Sequence, residues 1–329
     1  MQFILEARVS LEPTLCRQLR GVYGSSMKDI KESETMFINM SRDLLDNHTY
    51  NNKLGADPKN ELKNRYCNIL PEDSSIVQLS SGYINANHIE LLDCSFVATQ
   101  GPLQNTTKDF WAMVYYYGSL IIGLEHLPYK VHQYWRYPGE LEYFKRYRTR
   151  IPKDLNMECY VIHFCIKGET AKRVVPFLLD KNWLDYSHPL NRTTLLRSVA
   201  MNFVMSFGIV SLRKNDMVRS LETLENAPVI HCSAGVGRTG TLMVLLLSCR
   251  YHILKGMLAD TSDLEFDIEE VIMNMKKQRH FSMVQLPNQF VLARHFHNSF
   301  NMEEFLPHLM QAKDFFSDLL MSIDELDIV

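Results

Sequence analysis

From about residue 64 onward, short apolar blocks alternate with turn formers. Residues 75–79, 96–99, 120–124 and 160–166 are such runs, and each predicts a strand. Residues 227–231 form another, which enters a glycine-rich turn. Residues 240–255 are apolar nearly all round, as a buried helix is. Residues 267–278 carry Ile268, Val271, Ile272 and Met275 at one-face helical spacing. Asp267, Glu269 and Glu270 fall in the first turn of that segment and Lys276 and Lys277 in the last, which suits the helix dipole. Residues 1–60 are more polar and less regular, and predict helical pieces in a partly loop-like region. Strands and helices are mixed through one span, which points to an α/β or α+β domain around a single sheet.

The last 29 residues are acidic. Leu309, Phe316, Leu320 and Ile323 make a helical stripe there. The stripe predicts a helix packed on its own domain, with docking of a partner as the alternative. The expected organisation is a variable N-terminal segment at 1–25, one domain at 26–300 and an amphipathic tail at 301–329.

Composition narrows the class. The 329 residues are 46% hydrophobic and 22% charged, enough for a sizeable core, and the formal net charge is -3. No basic excess marks a nucleic-acid binder. Net acidity leaves room for an anionic substrate, because a small pocket can be locally positive. Seven cysteines occur without a C-x-x-C pair, so neither a disulfide framework nor a zinc site is suggested. The first residues include Glu6 and Arg8 and do not read as a signal peptide. The most apolar stretch, 242–247, is too short to span a bilayer. A reducing, cytoplasmic setting fits, where a free thiolate persists.

The informative segment is His231-Cys-Ser-Ala-Gly-Val-Gly-Arg-Thr-Gly240, between a predicted strand and a predicted helix. Three phosphate-related patterns overlap in it. Gly235, Gly237 and Gly240 match G-x-G-x-x-G, but no second strand ending in an acid follows about 20 residues on. Gly235 and Gly240 have the spacing of a nucleoside-triphosphate loop, but Thr241 stands where its lysine belongs. The third pattern is Cys-x5-Arg. If the turn curls around a phosphate, the backbone N–H groups of Ser233, Ala234, Gly235, Val236, Gly237 and Arg238 point inward, and the helix N-terminus adds positive potential. Arg238 can grip two phosphate oxygens. The same donors make Cys232 a thiolate and hence a nucleophile at phosphorus.

These residues resemble the signature of the tyrosine-specific protein phosphatases. Further segments match in order: Asn64-Arg65-Tyr66, the motifs within 83–87, 96–102 and 109–111, Gln133-Tyr-Trp135, the acid-loop segment 183–189 and the glutamine segment 283–289. The match runs over about residues 60–295, and the divergent details resemble members carried by viruses of parasitoid wasps. The resemblance implies a highly twisted mixed sheet flanked by helices and hydrolysis of phosphotyrosine in proteins, with no metal or cofactor and in the cytoplasm (of a host, if viral). It implies that Tyr66 stacks on the substrate ring and sets pocket depth, with Asn68 beside it. It makes Asp185 the general acid and then the base, and gives the hydrolytic water to Gln285, with Gln289 nearby. Thr239 hydrogen-bonds the departing sulfur, His231 supports the loop, and Lys130 is a second cation near the acid loop.

Departures from the family pattern are local. Leu184 replaces a proline and Ser187 a glycine on either side of Asp185, which motivates a second reading as a phosphotyrosine binder of low turnover. His188 is a conceivable substitute donor. Asn68 stands where the recognition loop carries aspartate, and an amide holds a substrate backbone less strongly than a carboxylate does. The turn between Arg279 and Gln285 is one residue longer than the pattern, with Ser282 in place of a glycine. Glu125 is a candidate for the carboxylate that braces Arg238, although the spacing does not settle the alignment.

Overall fold

The structure, a computed structural model, describes residues 26–80, 82–183, 189, 191–208, 227–258, 261 and 264–327. Seven strands form one mixed sheet: β1 (Ala86–Leu91), β2 (Cys94–Thr99), β3 (Gly118–Gly123), β4 (Tyr143–Thr149), β5 (Met157–Cys165), β6 (Arg173–Asp180) and β7 (Ala227–His231). Their spatial order is β1-β2-β7-β3-β6-β5-β4. The four central strands β2, β7, β3 and β6 run parallel, while β1, β5 and β4 pair antiparallel. The single sheet is what the residue pattern predicts, and its mixed character is what the resemblance implies. β7 is buried at every position and lies near the middle, so the turn after His231 emerges from the carboxyl ends of parallel strands. Ligand sites of open sheets form at such ends.

Helices cover both faces. Among the described residues the α-helices are α1 (Met27–Asn47), α2 (Lys53–Ala56), α3 (Thr107–Tyr117), α4 (Arg192–Phe207), α5 (Gly237–Met257), α6 (Ile268–Gln278), α7 (Pro287–Asn298) and α8 (Met302–Asp327). One core layer holds α1 and α4 to α8 against the sheet; the other packs α3 with Tyr134 and Trp135 on the opposite face. α5 and α6 fall where the sequence places them, with Asp267 as the cap that accepts from Glu269 N and Glu270 N.

Two expectations change. Residues 75–79 make only isolated bridges, Ile76 with Asn87 and Leu79 with Gly82. Ser75 closes a 3₁₀ turn there, and its hydroxyl is committed to Gln278 O. Residues 26–47 are more regular than expected: α1 is a 21-residue helix opened by a Ser26–Asp29 capping box. Its buried positions Ile30, Ser33, Phe37, Met40 and Leu44 form one stripe. The tail helix α8 lies on α4. Leu309 and Phe316 are buried, Leu320 packs partly against the core, and the side chain of Ile323 lies outside the described residues. Arg192 and Glu304 pin the two helices together by two hydrogen bonds of 2.6 Å. Among the described residues no helix is long and apolar enough to cross a membrane.

Candidate active site

The turn between β7 and α5 is shaped by its glycines and by its neighbours. Gly235 has φ +70°, and a Cβ there would fall 2.0 Å from Thr99 O. No other residue fits that position. The Gly235 N–H consequently turns inward and donates to Cys232 Sγ at 3.3 Å. Cys232 is 3% exposed. Burial pushes its thiol up, but the Arg238 charge, the Thr239 hydroxyl and amide and the Gly235 amide outweigh it, and the pKa falls below the ordinary value. Among the described residues the Thr239 hydroxyl finds no oxygen or nitrogen partner, and it bonds the sulfur.

Arg238 is held from behind. Nη2 donates to Glu125 Oε2 at 2.8 Å, and Nη1 donates to Leu124 O at 3.0 Å and Trp183 O at 3.2 Å. Glu125 is buried, and its other oxygen accepts from His126 N and Leu127 N. The carboxylate that the sequence leaves open is therefore Glu125. His231 is fully buried and its pKa is pushed down to about 4, chiefly by that burial. It lies 2.8 Å from Tyr134 Oη through Nε2 and 3.2 Å from Cys232 O through Nδ1. A neutral ring that donates from Nδ1 and accepts the tyrosine hydroxyl satisfies both contacts. His231 thus supports the loop as a hydrogen-bonding strut rather than as a cation.

A second arginine braces the outside of the loop. Arg279 is fully buried, donates to Gly235 O at 3.2 Å and Ala234 O at 3.4 Å, and is itself held by Asn87 Oδ1 and Asn85 Oδ1 at 2.6 and 2.8 Å. Burial lowers its pKa to about 10, so it is charged at neutral pH. Sequence reasoning missed it, because Lys276-Lys-Gln-Arg279 reads as a solvated basic run. The signal was the asparagine pair Asn85 and Asn87, two buried amides spaced by two around the start of β1.

The recognition segment is clamped to the same loop. Gln100 accepts from Arg65 N and donates to Lys63 O, and Arg65 donates to Gly101 O and Pro102 O. Gly101 N in turn donates to Ser233 O at 2.8 Å. Tyr66, 38% exposed, ends the chain of contacts with its hydroxyl 2.8 Å from Ser233 Oγ, which donates to Lys130 O at 3.1 Å. Lys130 contributes that carbonyl, and its ammonium lies 5.9 Å from the Tyr129 ring.

Tyr66, Asn68, Cys232, Ser233, Ala234, Gly237, Arg238, Gln285 and Gln289, with Ile69, line a cavity of about 140 Å³. Gln289 Oε1 accepts from Gln285 N and Leu286 N, which fixes the glutamine turn at the head of α7. A Cβ on Gly237 would meet the Gln285 and Gln289 side chains at 3.1–3.2 Å, so both glutamines abut the loop. Gly235, Val236, Thr239 and His231 are buried beside this lining. Asp185, with Leu184, Ser187 and His188, lies outside the described residues. The approach to that segment is described: Trp183 Nε1 donates to Ser198 Oγ, which donates to the buried Asp180 carboxylate.

The residues from Tyr66 to Gln289 fall within the stretch, 60–298, that matches the family model described as protein-tyrosine phosphatase. The tyrosine-protein phosphatase non-receptor type 7 of Rattus norvegicus is 32% identical over 255 residues, 72% of this chain and 64% of the relative. The non-receptor type 20 enzyme of Homo sapiens is 30% identical, over 72% of this chain and 54% of the relative. The chain spans less than two thirds of the length of these relatives, and only 9% of the non-receptor type 13 protein of Mus musculus, to which it is 30% identical. The catalytic domain of human protein tyrosine phosphatase non-receptor type 18 superposes with a TM-score of 0.62 at 22% identity, covering 88% of this chain and 97% of that domain, which shows the fold. With the family model matched across the whole lining of the pocket, the chain belongs to the protein-tyrosine phosphatase family.

Proposed function

We propose that this protein hydrolyses phosphotyrosine in proteins through a cysteinyl-phosphate. The supporting observation is a buried thiol, held below its ordinary pKa, in a cavity shared with the half-exposed Tyr66. In this reading phosphate sits against the backbone amides of 233–238 and the Arg238 guanidinium, which carry the charge of the transition state. The Cys232 thiolate attacks phosphorus, an S–P bond forms and the P–O bond to the tyrosyl oxygen breaks. Asp185 gives its proton to the leaving phenolate. Water held by Gln285 then attacks phosphorus and passes a proton to the Asp185 carboxylate. The S–P bond breaks, inorganic phosphate leaves, and the Thr239 hydroxyl receives the restored thiolate. Tyr66 sets the reach to the sulfur, which favours phosphotyrosine over the shorter phosphoserine. A reactive thiolate of this kind fits the cytoplasm.

Purified protein is expected to release phosphate from an aryl phosphate, and Cys232→Ser to abolish release. Equal rates in the two proteins would dispose of the enzyme reading. Leu184 and Ser187 beside Asp185 favour one alternative, capture of phosphotyrosine with little turnover. In that case Asp185→Ala leaves the rate unchanged. A loss of roughly a hundredfold or more in that variant speaks for the phosphatase.

A further inference from the structure

A lysine in the last turn of a helix ordinarily reaches into water past the terminal carbonyls. Lys276 of α6 does not. It is 1% exposed, donates to Phe281 O at 2.6 Å, and lies 5.3 Å from the centroid of the Phe37 ring on α1, upstream of the stretch that matches the family. Among the described residues no carboxylate pairs with it. Burial alone pushes its pKa down to about 7. A buried amine with no counter-ion costs stability that an apolar side chain of the same length does not.

The carbonyl it holds belongs to the turn leading to Gln285, the turn that is one residue longer than the family pattern. That turn is strained: Val284, buried and β-branched, has φ +52°. Such a residue stays there only if its surroundings impose it. Ser282 N donates to His280 Nδ1 at 3.1 Å and Met283 N to His280 O at 2.9 Å, while the His280 ring also bonds the backbone of Asn68. Val284 N sits 2.8 Å from where a Cβ on Gly240 would be, so the turn is pressed against the start of α5. Lys276 grips it through Phe281 O.

We infer that Lys276 is a positioning residue for the second half of the reaction: by holding Phe281 O it keeps the strained turn in the form that presents Gln285 to the attacking water. The inference rests on the phosphatase reading. Lys276 moves no proton; the water proton still goes to Asp185 as the S–P bond breaks.

The test is rapid-quench kinetics on an aryl phosphate with the full chain, alongside melting temperatures at pH 7. Lys276→Met is expected to melt within a few degrees of the wild type. Its kcat and KM should fall together by roughly tenfold. Its kcat/KM, which reports only steps through the first P–O cleavage, should stay within twofold, and acid quench should trap nearly one phosphoenzyme per site. Lys276→Arg, which keeps a donor, should retain the wild-type ratio of burst to steady state. The inference is overturned by a Lys276→Met protein with wild-type kcat and no trapped phosphoenzyme. It is equally overturned if kcat drops at constant KM, or if the variant melts far below the wild type, because the side chain then only supports folding. A wild type that releases no aryl alcohol in the first turnover overturns the phosphatase reading, and this inference with it.

Discussion

Arg238 lowers the thiol of a cysteine that burial alone would raise. Its replacement has a direction that follows from these two opposed causes. Arg238→Met is expected to move the midpoint of Cys232 alkylation by iodoacetate to higher pH than in the wild type, as read from rate against pH. Gly235 is the other residue on which the loop turns. Gly235→Ala places a methyl on Thr99 O and forces an alanine into the left-handed region, costing about 1–2 kcal/mol for the backbone alone. Calorimetry with tungstate should show loss of anion binding while a folded protein remains. Cys232, Arg238 and the glycines were legible because they are neighbours in sequence, and the N–H groups of one turn need no tertiary information. Glu125 was legible only as a candidate whose alignment stayed open, and Arg279 was not legible as a brace. They reach the loop across sequence separations of 113 and 44 residues, and a lone acid or a basic run carries no trace of such a contact.

At the scale of elements, strongly periodic segments such as α5 and α6 were readable, and so were the apolar strands of the central sheet. β6 was passed over: Pro176 interrupts its apolar run, and a proline argues against a strand interior. It is tolerated opposite Val161 in the antiparallel pairing with β5. β4 is an edge strand with mixed exposure and no apolar run to betray it. α8 is the element whose weight the stripe understated. Phe305, Leu309, Ala312, Phe315, Phe316 and Leu319 are all buried with α4 and the common core. Leu309→Ala is therefore expected to cost about 2–5 kcal/mol in a denaturation experiment. Met321→Ser, at an exposed position, should stay within about 0.5 kcal/mol. Equal effects would mean that α8 does not share this core.

Over the whole molecule, buried histidines set the acid limit. Burial lowers His231 to about 4 and His280 to about 3, both from 6.5. Between pH 6.5 and about 4 the unfolded chain therefore binds protons that the folded protein refuses. Their contribution is complete above pH 6.5 and is lost as pH falls, at roughly 1.4 kcal/mol per pH unit for each. Melting temperature should drop steeply between pH 6.5 and 4.5, and His280→Gln should make the descent visibly shallower. An unchanged slope would assign acid lability to other groups.

Trp183 also makes the protein its own optical sensor. The chain has three tryptophans. Trp111 and Trp135 are sealed in the core layer that does not contain Cys232. Trp183 lies in the other layer, with its carbonyl on Arg238 and its indole N–H on the Ser198–Asp180 relay. An oxyanion that draws on the guanidinium changes the surroundings of one fluorophore and leaves two as an internal baseline. Titration with tungstate should alter the emission of the native protein, and Trp183→Phe should render the same titration dark, so occupancy of the pocket can be followed without labels or turnover.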